Sequence, residues 1–210
     1  MKKIILSLLV FAAMATAESI PHTHDGFFLN LALGFGYGNF EDNYTSVYNG
    51  KNRLESSGTS SEFDLKIGGC VVHNVALHFS ALGVGFFNDI DMYKEGKFNK
   101  SVSPESFNHT LIGGGITAYV PAVDGLFVSA SIGASQYSLT LSNGLFTYEA
   151  ASVAGFGFAI QAGKEWWVSD NWGLGVSVSY IHGNSEDSNN IQKEDMHSNS
   201  FNVMFSATFN

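Results

Sequence analysis

The chain has 210 residues, a formal net charge of −9 and only 14% charged residues, with as large a share of aromatics. That length suffices for one domain or one small barrel. The acidic balance excludes the basic footprint of a nucleic-acid binder, and the charged fraction falls well below the ~25% of ordinary soluble domains.

The first segment reads as a targeting signal. Lys2 and Lys3 are basic, residues 4–14 are apolar, and Ala15-Thr16-Ala17 supplies small residues before Glu18. This predicts a cleaved signal peptide over 1–17. The apolar run is too short to span ~30 Å of hydrocarbon. Without Lys2 and Lys3 the chain keeps eight basic against 19 acidic residues, a charge of −11. Residues 18–25 are expected to form an N-terminal periplasmic segment. Within it His22, His24 and Asp25 are potential metal ligands, but they come from one short stretch. Metal sites gather ligands from several elements, so a solvated linker is expected, with no metal and no cofactor.

From residue 26 to 210 the dominant signal is period-two alternation, the pattern of strands. Phe27, Leu29, Leu31, Leu33, Phe35 and Tyr37 share one face. Phe28, Asn30, Ala32, Gly34 and Gly36 share the other. The alternation recurs over 62–71, 75–81, 172–180 and 200–209, and less regularly over 106–120, 125–141 and 148–166. These are eight strands, and most match the ~9–11 residues of a tilted membrane-spanning strand. Gly34-Phe35-Gly36-Tyr37-Gly38 imitates a nucleotide loop but has no helix after it, so these read as strand glycines. Tight links fall at His73-Asn74, at 121–125 and at 168–171. Long polar stretches fall at 41–60, 88–105 and 183–198, with a shorter one at 142–147.

Alternation of short turns and long loops predicts an all-β fold: an eight-stranded antiparallel transmembrane β-barrel with long extracellular loops and short periplasmic turns. A soluble β-sandwich would also alternate. However, the second face here carries Gly, Ser and Ala, which suit a cramped interior better than bulk water. Trp166, Trp167, Trp172 and Tyr180 lie at strand ends, as an interfacial aromatic girdle requires. Cys70 is the single cysteine and reads as a small apolar side chain.

The string from Gly163 to Gly175, which contains Trp166-Trp167-Val168-Ser169-Asp170-Asn171-Trp172, resembles the outer-membrane β-barrel domain family of proteobacteria. His24-Asp25-Gly26-Phe27-Phe28-Leu29 is similar to the family's first strand. The resemblance implies a Gram-negative outer-membrane protein. Its partners would be membrane lipid and lipopolysaccharide, with periplasmic chaperones and the barrel-insertion machinery during biogenesis. The last strand resembles the signal read by that machinery, except that Asn210 follows the aromatic Phe209.

Glu62, Asp64, Lys66 and Glu165 fall on lumen-facing parity. Buried charges must be paired or watered, so these four form either a structural salt-bridge network or a polar gate. His78-Phe79-Ser80 resembles the His-x-Ser pair of lipid A deacylases. Ala81 replaces the family's Asn, and His78 lies four residues from a periplasmic turn, at the wrong leaflet. No enzyme is expected. The expected role is structural or surface-interacting. The alternative is a narrow channel or a pocket for small or apolar molecules, because Ala32, Gly34, Gly36, Gly173, Gly175 and Ser177 are small. Tight packing around larger side chains would explain the same residues.

Overall fold

A computed structural model describes residues 22–46, 50–142, 147–188 and 192–210. The predicted signal peptide, with the first residues of the periplasmic segment, lies outside the described residues. The strands are β1 (Phe27–Ser46), β2 (Gly50–Val72), β3 (Val75–Phe86), β4 (Ile90–Lys94), β5 (Lys97–Val102), β6 (Ser106–Tyr119), β7 (Leu126–Ser142), β8 (Thr147–Ala151), β9 (Gly155–Trp167), β10 (Trp172–Ser188) and β11 (Gln192–Phe209).

Eight of them close a ring in the order β1-β2-β3-β6-β7-β9-β10-β11. The closing ladder is antiparallel and runs from Leu29↔Phe209 to Ser46↔Gln192. Closure leaves the ring without an edge, so every spanning strand pairs on both sides, as a bilayer demands. The remaining three strands are appendages at one end. β4 pairs with the outer part of β2 and with β5, and β8 pairs with β7.

The predicted loops are largely strand. Residues 41–46 with 50–60, and 183–188 with 192–198, continue the β1–β2 and β10–β11 ladders well beyond the apolar zone. The 88–105 stretch folds as the β4–β5 hairpin. The predicted strand 148–166 is two elements, β8 and β9, separated at residues 152–154. Its weak alternation at 150–154 marks that break. The tight links hold as turns; Asn74 takes a positive φ of 66° between β2 and β3, a conformation Asn tolerates better than most residues.

Three neighbouring strands fix the membrane boundary. Their outward residues are apolar from Leu29, Trp172 and Phe209 to Tyr37, Tyr180 and Phe201, and polar beyond, at Asn39, His182 and Asn199. Tyr37, Phe201 and Tyr180 are mutually in register, so the boundary is level across these three strands. Nine residues per strand give roughly the ~25 Å apolar band of such barrels once tilted. Phe35 and Phe205 are 68% and 65% exposed on this band. Such a continuous apolar surface requires lipid rather than water.

Candidate functional site

The lumen has two fillings. The inner, periplasmic half is polar. Lys66 on β2 donates to the Asp64 carboxylate beside it and, across the ring, to Gln161 Oε1 on β9 at 2.6 Å. Gln161 passes the chain on to Ser177 Oγ at 2.8 Å. One step outward, Glu62 accepts from Ser179 Oγ at 2.9 Å and from Asn202 Nδ2 at 2.8 Å. One step inward, Glu165 accepts from Tyr119 Oη at 3.1 Å and Thr208 Oγ1 at 2.5 Å. All four predicted lumen residues are buried, but in three layers: Asp64 with Lys66, Glu62 apart, and Glu165 below. Each layer ties strands that are not neighbours in the ring. His78 and Ser80 hydrogen-bond each other at 2.9 Å inside the wall. Thr117 and Ser131 take their remaining capacity, away from either leaflet.

The small lumen residues are answered by large neighbours. A Cβ at Gly34 would strike Met204 Sδ, one at Gly175 would crowd Glu165 and Ser206, and one at Gly183 would strike His109 and Ser135. Gly and Ala make room for these side chains, so the lining is packed rather than open.

The periplasmic mouth is covered. His24 stacks on Tyr119 with ring centroids 3.3 Å apart and lies 4.9 Å from Trp167. The backbone around it is tied down by Cys70 N–H to Gly26 O (2.8 Å) and Asn74 N–H to His24 O (3.0 Å). Residues 22–25 are therefore a cap, not the solvated linker their polarity suggested. Burial holds the His24 imidazole down at a pKa of about 4. Trp167 is also a correction. Its parity is inward and it carries His22 and His24, whereas Trp166 and Trp172 face lipid at the periplasmic edge and Tyr180 sits at the outer edge. The adjacency of Trp166 and Trp167 already implied that one must face inward.

The outer half is apolar. Phe40, Phe86, Phe107, Leu111, Tyr137 and Ile181 belong to one buried cluster. The Phe40 ring meets Phe107 edge-on at 4.6 Å and Tyr137 at 5.2 Å; Phe86 stacks on Phe107 at 5.0 Å. Tyr137 Oη donates to Gly183 O at 2.6 Å, fixing the ring across the lumen.

Above this plug, outside the membrane, opens a cup of about 400 Å³. Phe40, Phe107 and Tyr137 are its floor. Leu54, Met92, Leu139 and Met196 are walls, and residues 148–153 close one side. That side is held in place: Ser152 Oγ accepts from Tyr137 N–H at 3.0 Å, and Ser185 Oγ donates to Val153 O at 2.7 Å. The volume and apolar lining lie in the range of small-molecule sites. Asp42, Asp187 and Glu194 are the acidic part of the lining. Asp42 lies five residues beyond Tyr37, in the extracellular part of β1. Burial, then the negative charges of Glu194 and Asp195, push its carboxyl up to about 7. Burial and Asp187 raise Glu194 as well. None of the sequence patterns singled out this cup, because its lining comes from eight separate strands and the link between β8 and β9.

No family model and no curated protein matches the chain. Among solved structures, the outer membrane protein OprG from Pseudomonas aeruginosa aligns with a TM-score of 0.50 at 8% identity, covering 90% of this chain and 98% of OprG. The outer membrane protease OmpT from Escherichia coli aligns with a TM-score of 0.44 at 10% identity, covering 92% and 99%. Neisserial surface protein A aligns with a TM-score of 0.43 at 15% identity, covering 84% and 95%. The OprG likeness shows the fold. With the apolar belt, it marks the chain as a small β-barrel of the outer-membrane type, its belt facing membrane lipid.

Proposed function

We propose that this barrel is a sealed outer-membrane protein that binds a small apolar molecule at the cell surface. The observation that carries this is the position of the cup. It opens outward, directly on an aromatic plug, with a cross-linked polar core beneath. The sequence set a surface-interaction role beside a pocket in the lumen; the lumen is packed, and the cup supports an apolar site at the surface instead. Transport through the lumen is not favoured by that arrangement. The acyl-hydrolase reading has no support in the geometry, since the His78–Ser80 pair is buried within the wall.

The test is calorimetric titration of linear alcohols into the barrel in lipid nanodiscs, with empty nanodiscs as the blank. Each added methylene should tighten saturable binding about fourfold, from ~0.8 kcal/mol per buried CH₂, until the cup is filled. Met196→Lys places a charge in the wall and should reduce 1-octanol affinity about tenfold or more. Binding that never saturates above the blank, or that Met196→Lys leaves unchanged, would contradict the proposal.

A further inference from the structure

The cup is not uniformly apolar, and its polar part has a sign. Asp42 is 2% exposed, yet it lines the cavity and its Oδ1 has no hydrogen-bond partner. An unsatisfied buried carboxylate oxygen is costly unless something fills its place. Across the β1–β11 ladder the Glu194 carboxyl lines the same cavity, within reach of sharing a hydrogen bond with Asp42. Two carboxyl groups can share such a bond only through a proton that one of them carries. Asp187 on β10 also lines the cavity, and Asp195 adds negative charge on β11.

Among the described residues no basic group answers them. Arg53 on β2 is engaged by Glu55 at 3.1 Å and lies over the Tyr93 ring. Lys94 and Lys193 are exposed. His197 faces Glu41, 3.8 Å away on the outer surface of the ladder. A metal ion is not the fit, since no group of three or more His, Cys, Asp or Glu among the described residues is arranged to hold one. A single cationic head bearing an apolar tail satisfies both halves of the cup.

We infer that the ligand of the extracellular cup is a cationic amphiphile. Its protonated amine replaces the proton shared by Asp42 and Glu194, and its hydrocarbon lies on Phe40, Phe107 and Met196. This rests on the proposed apolar binding role and specifies the ligand class. The amine donates to Asp42 Oδ1 and to Glu194, and the displaced proton leaves to solvent. Because burial and neighbouring acids hold Asp42 up to about 7, ionising the pair for an ammonium is easier as pH rises. Affinity for the amine therefore increases with pH through neutrality, and binding releases protons.

The experiment titrates octylammonium, 1-octanol and octanoate separately against the protein in neutral-lipid nanodiscs at about pH 8 and about pH 5.5. The alcohol reports the cup alone; the amine reports the carboxylates. The expected result is about tenfold or greater preference for octylammonium over octanol at the higher pH, the effect of one charge-assisted hydrogen bond. That preference should shrink at the lower pH and vanish in Asp42→Asn, with octanol still binding saturably. Glu194→Gln should reduce it less, and octanoate should bind weakest. Equal binding of amine and alcohol, or a preference that survives Asp42→Asn, would overturn the inference while leaving the apolar cup standing. Absence of saturable octanol binding would overturn both. Retained octanol binding also shows that each variant is folded.

Discussion

Lys66 is the one Lys or Arg buried among the described residues, and it sits among Glu62, Asp64 and Glu165. A charge in that position is worth most when its partner is present, and removing one partner strands the other. Lys66→Met should cost about 3–5 kcal/mol in urea unfolding from lipid vesicles. Asp64→Leu combined with Lys66→Met should cost less than Lys66→Met alone, because the pair is removed together. Additive costs would show that the two do not act as a unit. At Gly34 the demand is for space. Gly34→Leu should destabilise by about 1–3 kcal/mol or more through collision with Met204 and the β11 backbone. Much of this residue scale was legible from parity: Glu62, Asp64, Lys66 and Glu165 were placed inward by counting in twos. What counting could not supply is height. Asp64, the carboxylate that meets the lysine, lies two residues away on the same strand, but the partners of Glu62 and Glu165 depend on register between strands far apart in sequence, and Gln161, the lysine's partner across the lumen, carries no signal of its own.

Two elements act beyond the ring. The 22–26 segment caps the periplasmic mouth through His24, whose folded-state pKa of about 4 lies below the ordinary value of 6.5. For a base with a depressed pKa, docking is strongest when the imidazole is neutral. The contribution is complete above about 6.5 and is lost as pH falls toward 4, by up to about 3 kcal/mol. Trp167 fluorescence should report cap release over that window. His24→Phe should keep the stack and abolish the pH dependence; a transition unaffected by this change would assign it elsewhere. At the other end, the β4–β5 hairpin contributes Ile90 and Met92 to the cup but no strand to the ring. Replacing residues 91–101 with a short Gly-Ser link should leave a folded, heat-modifiable barrel and weaken octanol binding about tenfold, from the lost apolar wall. Loss of folding would show that the hairpin is needed for closure. The sequence pattern revealed the ring strands because lipid and lumen impose opposite chemistry on alternate residues. Outside the membrane that pressure stops, so the extended ladders and the hairpin read as polar loops, and the β8–β9 break reads as part of one strand. The cap was missed for a related reason: His24 is buried by stacking on Tyr119 and Trp167, which no local pattern announces.

At the scale of the molecule, the eight strands build a wall, and the function proposed depends on what stops the lumen. Periplasmic cap, cross-linked polar core and aromatic plug lie in series, with the apolar cup on the extracellular side of all three. Small barrels of eight strands leave room for side chains to fill the interior, and here Met204, Glu165, His109 and Tyr137 take that room. The central claim is therefore closure. Planar-bilayer conductance of the purified, folded protein tests it most directly, with a cold-versus-boiled gel shift showing that the barrel has formed. A folded barrel that stays electrically silent at either polarity is the predicted result. Discrete, reproducible conductance steps from the same preparation would contradict the account, because an ion path past Lys66 and the Phe40–Phe107–Tyr137 plug would make the protein a channel.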